Sequence, residues 1–231
     1  MFLYIRFIFN LVFVNPFVSL SLLMRLYKVQ KGGKVWVVGN GPTLSAFDPG
    51  QIEQNDIVIV CNYFLHHPIA KKFKVDFYCM SDPRLFSDHS YIERVGELGP
   101  SSIVIPLRQA FKLNWFRFRK KIIVYNYASY FKLWKDRLVF FKNQSVFMPL
   151  QCGDTVAFDI MVPLALSLKP SEIKFVGIDL KHTDRVEHSY CESLTPGDRS
   201  SDEYLMGEWQ DNTEASLKVL MKNSRLPDLL K

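Results

Sequence analysis

Lys34-Val35-Trp36-Val37-Val38-Gly39-Asn40-Gly41-Pro42-Thr43-Leu44 decides how this chain is read. A run of β-formers meets a Gly-Asn-Gly-Pro turn, and Thr43 or Ser45 then stands where a helix cap belongs. That order describes a first strand feeding a tight loop, the usual place for an α/β protein to hold a phosphate. Gly39 and Gly41 allow close backbone approach and positive φ. Helix-start N–H groups and the helix dipole favour an anion at such a turn. A plain strand-to-helix turn with no ligand is the other reading, and the motif alone leaves both open.

Working outward, strand and helix patterns alternate. Strands are expected over 35–38, 56–62, 75–80, 102–106, 122–125 and 173–179. The stretch 56–62 is too continuously apolar for a surface strand. Residues 43–54 read as a short helix or turn broken at Pro49-Gly50, and 108–120 as a helix rich in aromatic and basic residues. Further helices are expected over 155–168, with Pro163 placed to kink it, and over 213–223. Residues 181–203 are polar and carry Pro196-Gly197, which reads as a long loop or lid. The alternation predicts an α/β domain, a Rossmann-like, doubly wound, mostly parallel sheet.

The size of the chain, 231 residues, suits one such domain with a sizeable core. A 48% hydrophobic and 23% charged composition excludes a disordered chain. The net charge of +6 points to an anionic partner: nucleic acid, a membrane surface or a small substrate. The densest basic run is Arg117-Phe118-Arg119-Lys120-Lys121, which no nucleic-acid-binding signature accompanies, so nucleic acid is not expected. A solvated face or a membrane-facing patch remains. The four cysteines, Cys61, Cys79, Cys152 and Cys191, form neither a CxxC pair nor a disulfide framework. They read as buried, reduced thiols of a cytosolic compartment.

Residues 7–24 carry no charge, with Arg6 before them and Arg25, Lys28, Lys31 and Lys34 after. The run is near the lower limit for spanning a bilayer, which takes ~20 apolar residues, and Asn10, Asn15 and Pro16 weaken it. No small-residue cleavage site marks a signal peptide. The readings are a transmembrane anchor with the globular part in the cytoplasm, a broken interfacial helix pair, or a helix packed on the domain or a partner. The expected organisation is a membrane-associating segment over 1–30 and a Rossmann-like domain over 31–231, with a lid over about 181–210.

In such sheets ligands bind beyond the carboxyl ends of the strands. Asn40, Asn62, Ser81, Asp82 and Asp179 each follow a strand, and together they mark one edge as a site. The amides of Asn40 and Asn62 suit a base, ribose or phosphate, or simply make turns. Asp82, before Pro83, accepts a ribose hydroxyl or caps a turn; Asp179 orients a catalytic group or braces the glycine loop. Cys152-Gly153-Asp154-Thr155 precedes a helix and offers a second anion-binding helix start, with Asp154 or Thr155 as cap. Among the histidines, His66-His67 is expected in a surface loop. His188, beside Glu187 and two residues before Tyr190, is a candidate general base, against the alternative of a solvated loop histidine. No spacing supports a metal site.

Several of these marks coincide in order: Gly39-Asn40-Gly41-Pro42-Thr43-Leu44, Cys61-Asn62-Tyr63-Phe64, Phe77-Tyr78 with Asp82-Pro83-Arg84-Leu85-Phe86, and Phe175-Val176-Gly177-Ile178-Asp179. Over roughly 34–220 the chain resembles the bacterial lipooligosaccharide sialyltransferase family. The resemblance implies a metal-independent Rossmann-like domain with a mobile lid, using a CMP-activated sugar and no separate cofactor. Asn40 and Asn62 correspond to the family's two strand-end asparagines. Its Asn-Pro is Asp82-Pro83 here, and its Thr-Ser-Gly is Gln151-Cys152-Gly153, which removes a hydroxyl. The lid tyrosines that steady the leaving phosphate fall at Lys181 and near Tyr190, and lysine serves a phosphate as a point charge. The family's lid histidine precedes an Asn-Thr-Asp helix start. Asp211-Asn212-Thr213-Glu214 matches that start, but Glu208 and Trp209 occupy the histidine's region. A sister group of pterin pyrophosphokinase-like and flagellin-modification proteins is also similar, through Gly177-Ile178-Asp179-Leu180 and His188-Ser189.

The combined expectation is a membrane-associated glycosyltransferase that moves a sialic acid-like sugar from a CMP donor to a surface glycan or glycolipid. Gly39, Asn40, Gly41, Pro42, Thr43, Asn62, Asp82, Cys152, Gly153, Asp154, Thr155 and Asp179 would hold the nucleotide. His188 would be the base, and Tyr190 and Lys181 would stabilise the departing phosphate. It would work at the cytoplasmic face of the inner membrane, with a homo-oligomer left open. The alternatives are a nucleotide-sugar-binding or assembly protein without catalysis, and a pyrophosphokinase-like transferase needing ATP and Mg²⁺.

Overall fold

The computed structural model describes residues 33–106, 122–127, 151–152, 156–178 and 226–230, with Gln109, Leu217 and Met221 besides. Its strands are β1 (Lys34–Val38), β2 (Ile57–Cys61), β3 (Phe77–Cys79), β4 (Ser102–Pro106), β5 (Ile122–Tyr127), β6 (Gln151–Cys152) and β7 (Glu172–Val176). They form one sheet in the order β6-β5-β4-β3-β2-β1-β7. Every pairing is parallel. The sheet has six full strands, and β6 adds a two-residue rung, Asn126 against Gln151 and Tyr127 against Cys152.

The period-2 alternation of β1 explains the layering. Val35 and Val37 join a core with the helical segment around Phe158, Met161 and Leu164, together with Leu229. Trp36 and Val38 face the other way, into a core with Leu44, Phe64, Tyr91, Ile92 and Val95. The sheet is therefore covered on both faces, as continuous apolar strands require. On one side lies α1 (His89–Leu98), started by Asp88, whose side chain accepts from Tyr91 N–H, and ended by Gly99 at φ 72°. On the other lies α2 (Val162–Ser167), preceded by a π turn, Ala157–Met161. A short α3 (Leu226–Leu229) was not foreseen from the sequence.

The expected helix over 155–168 is thus two conformations. Pro163 has no N–H to donate backward, and its ring crowds the carbonyl four residues earlier. The wider π turn, which ends just before α2, relieves that conflict. Residues 43–54 hold two 3₁₀ turns, Pro42–Ala46 and Pro49–Gln51, so Pro49 opens a turn as much as it breaks one. Neither Thr43 nor Ser45 caps the first turn; its N-cap is Gly41, with no side-chain cap bond. The last full strand stops at Val176, short of the expected 179, because Gly177 turns away at φ 63°. The helices expected over 108–120 and 213–223, the lid and the segment 1–30 lie outside the described residues.

Strand order runs from β1 to β6 on one side of β1, while β7 lies on the other. That reversal opens a crevice at the carboxyl edge. It is closed from below by backbone contact. Gly39 N–H donates to Val176 O (2.8 Å), and Gly41 N–H donates to Gly177 O (2.7 Å). A Cβ on Gly39 would lie 2.3 Å from Gly177 O, and one on Gly177 would lie 2.7 Å from Gly39 O. Both glycines are required by this approach of two main chains. Gly39→Ala is expected to cost roughly 2–4 kcal/mol, because main-chain atoms on both sides must shift. Thermal melting followed by circular dichroism should then show Tm lower by roughly 5–15 °C; an unchanged Tm would contradict the contact.

Candidate functional site

The carboxyl ends of β1, β2 and β3 are joined by side chains rather than by ladder bonds. Asn40 Nδ2 donates to Cys61 O (3.1 Å), spanning from the loop after β1 to the end of β2. Asn62 continues the line. Its Oδ1 accepts from Ser81 N–H (2.9 Å) and from Asp82 N–H (3.4 Å), and its Nδ2 lies 3.2 Å from Ser81 Oγ. The two amides singled out from the sequence thus lace three strand ends into one edge. Asn40, Asn62, Ser81 and Asp82 do stand together there.

Asn62 holds this place at a cost. Its φ is 42°, in the left-handed region that few residues other than glycine adopt. Asparagine tolerates that region best, and two buried hydroxyls secure it. Tyr78 Oη donates to Asn62 O (2.6 Å), and Tyr91 Oη also reaches that oxygen. The two hydroxyls are 2.7 Å apart, and Leu65 N–H donates to Tyr78 Oη (3.2 Å). Burial pushes both phenols up, so they stay protonated and can donate. Sequence reading missed this clamp, since nothing in a strand tyrosine and a helix tyrosine 13 residues apart announces a shared acceptor.

Asp82 is the turn-capping residue that its position before Pro83 allowed. Its Oδ1 accepts from Arg84 N–H (2.9 Å), opening the 3₁₀ turn Pro83–Phe86. The same carboxylate takes the Arg84 guanidinium, with Nη2 to Oδ2 at 2.8 Å, and Tyr63 Oη donates to Oδ2 (3.1 Å). Arg84 also lies over the Tyr63 ring, 5.9 Å from its centroid.

The expectation that His66-His67 is a surface loop is corrected in part. His66 stacks on Tyr91, ring centroids 5.6 Å apart, and burial and the Arg94 charge lower its pKa against an opposing pull from Asp88. His67 is buried, and its Nδ1 accepts from Ile69 N–H (3.3 Å) to cap the 3₁₀ turn Pro68–Lys71. The alternating pattern of small turns hid that cap. Cys61 and Cys79 are free and buried, as expected for structural thiols. Burial pushes the Cys61 thiol up to about 12 and Cys79 upward as well, so neither serves as a nucleophile.

Cys152 is placed only as backbone, in β6 rather than at a helix start. Gly153, Asp154, Thr155, Asp179, Lys181, His188 and Tyr190 lie outside the described residues. Among the described residues, no group of three or more His, Cys, Asp or Glu side chains is arranged to hold a metal ion. Within them too, no helix is long and apolar enough to cross a membrane.

No family model matches the chain, and neither does any curated protein. Solved structures do. The sialyltransferase CstII from Campylobacter jejuni, in complex with the substrate analogue CMP-3FNeuAc, is similar at TM-score 0.50 and 17% identity, covering 86% of this chain and 85% of that one. CstII with a trisaccharide acceptor and CMP gives TM-score 0.49 and 19% identity, covering 85% and 84%. The monofunctional α-2,3-sialyltransferase Cst-I from the same organism gives 0.47 and 16%, covering 73% and 63%. At these identities the likeness is one of fold: a parallel α/β sheet shared with the sialyltransferase group.

The His67 cap yields a pH test. Its folded pKa is held below the ordinary 6.5 by burial first and then by Lys72. The unfolded chain therefore binds the proton more readily. The stability this group contributes is complete above about pH 6.5 and is lost as pH falls toward the lowered folded value. His67→Asn keeps a cap acceptor that does not titrate. Urea unfolding at pH 7.5 and pH 5.5 should show a smaller acid loss in the variant; equal losses would contradict the buried cap.

Proposed function

We propose that this chain is a glycosyltransferase that moves a sialic acid-like sugar from a CMP-linked donor to a surface glycan or glycolipid. The observation that carries the proposal is the polar edge at the strand-order reversal, where Asn40 and Asn62 join the ends of β1, β2 and β3. It stands in a fold shared with a sialyltransferase whose structure holds a CMP-sugar analogue. Parallel sheets bind nucleotides at such an edge, and amides contact base, ribose or phosphate without adding charge.

In this reading Gly39 and Gly41 shape the loop, while Asn40, Pro42, Thr43, Asn62 and Asp82 line the nucleotide side. Residues 152–155 and Asp179 close the other side. His188 removes the proton of the acceptor hydroxyl. Tyr190 and Lys181 stabilise the phosphate as the sugar leaves, and such electrostatic help is often the largest single contribution. The departing CMP carries its own charge away, so no metal is required. The segment 1–30 and the basic surface would bring the enzyme to lipid-linked acceptors at the cytoplasmic face of the inner membrane.

The test is transfer from CMP-sialic acid to a panel of surface-glycan acceptors in EDTA, read by mass spectrometry of the product. Transfer is expected, and His188→Ala should slow it by about 100-fold or more. Donor binding without transfer would replace this reading with that of a nucleotide-sugar-binding protein.

A further inference from the structure

Asp82 places a carboxylate on the edge where an anionic nucleotide would lie, and a bare carboxylate there would repel it. The structure shows how that charge is managed. Arg84 sits two residues on, held by the Pro83–Phe86 turn that Asp82 itself caps. Its Nε lies 3.2 Å from Oδ1 and 3.1 Å from Oδ2, and its Nη2 lies 2.8 Å from Oδ2. The carboxylate side chain is 13% exposed and the guanidinium 52% exposed, so the positive partner is the one that faces outward. Tyr63 Oη occupies a further position on Oδ2 and places its ring beneath the guanidinium.

We propose that Arg84 is a specificity-determining residue that neutralises Asp82 and so makes this strand end compatible with an anionic ligand. The pair acts as one neutral unit where a lone Asp82 would select against phosphate. The fork geometry suits this role, since a guanidinium bonds both carboxylate oxygens at once. Tyr63 adds to it by holding the carboxylate from the side away from Arg84's backbone. The role concerns charge compensation rather than folding, because an exposed ion pair contributes little to stability. The inference rests on the nucleotide reading of the edge given above.

Calorimetric titration with CMP and with uncharged cytidine separates the possibilities, on the wild-type chain and on Arg84→Ala, Asp82→Asn and the double variant. Arg84→Ala alone should weaken CMP binding roughly five- to tenfold, the effect of one uncompensated charge near a phosphate. Cytidine binding should change by less than about twofold. The double variant should recover most of the lost CMP affinity, because removing the carboxylate removes the repulsion. Equal CMP affinity in Arg84→Ala and wild type would overturn the inference. So would a double variant as weak as Arg84→Ala, which would instead make Arg84 a direct phosphate ligand. A merely structural role would weaken cytidine and CMP alike, also against the inference. A wild-type chain that binds neither ligand would sink the nucleotide reading itself, and with it this one.

Discussion

The main-chain contact between Gly39 and Gly177 is the constraint on which the rest of the arrangement depends. It lets β7 lie against β1 while the other strands continue on the far side, so the strand order reverses at β1. The reversal separates the connections that leave the sheet and opens a crevice at its carboxyl edge. The glycine loop is therefore structural before it is anything else. The N–H groups of Gly39 and Gly41 are spent on the carbonyls of Val176 and Gly177. A ligand at this edge would meet the side chains that rise from the loop, not a cradle of those two amides.

Above that contact the edge is assembled by short polar side chains. Asn40 reaches the end of β2, and Asn62 reaches the end of β3. The left-handed backbone of Asn62 is the strained point, and strain of this kind persists only where neighbours over-determine it. Here the neighbours are the Tyr78 and Tyr91 hydroxyls, both on the carbonyl of Asn62. Removing either hydroxyl would leave the other to hold a conformation the chain does not prefer. Rigidity at this edge thus comes from the buried core beneath it, and that is what a binding surface needs if its geometry is to be fixed before the ligand arrives.

Much of this was legible in the sequence. The continuous apolar runs at 57–61 and 102–106 meant strands covered on both faces, and the alternation with helices meant parallel pairing. The polar residues just after the strands marked the edge, because a parallel sheet sends every strand end the same way. What was not legible depended on contacts between distant positions. Asp82 and Pro83 announced a turn, yet the guanidinium of Arg84 folding back on both carboxylate oxygens follows from the turn's geometry. Tyr78 and Tyr91 read as core aromatics, and only the packing of α1 brings their hydroxyls together. His67 looked like loop because its cap sits among 3₁₀ turns, which leave no periodic trace. Pro163 signalled a disturbance in its helix but not that a π turn would absorb it.

The central claim is that this edge takes a cytidine monophosphate unit and needs no metal to do so. Its most direct test is a calorimetric comparison of CMP, CDP, UDP and ATP on the wild-type chain, with and without Mg²⁺. The account predicts selective binding of CMP that is unchanged by the metal. Binding of ATP that requires Mg²⁺, or no binding of any nucleotide, would contradict it.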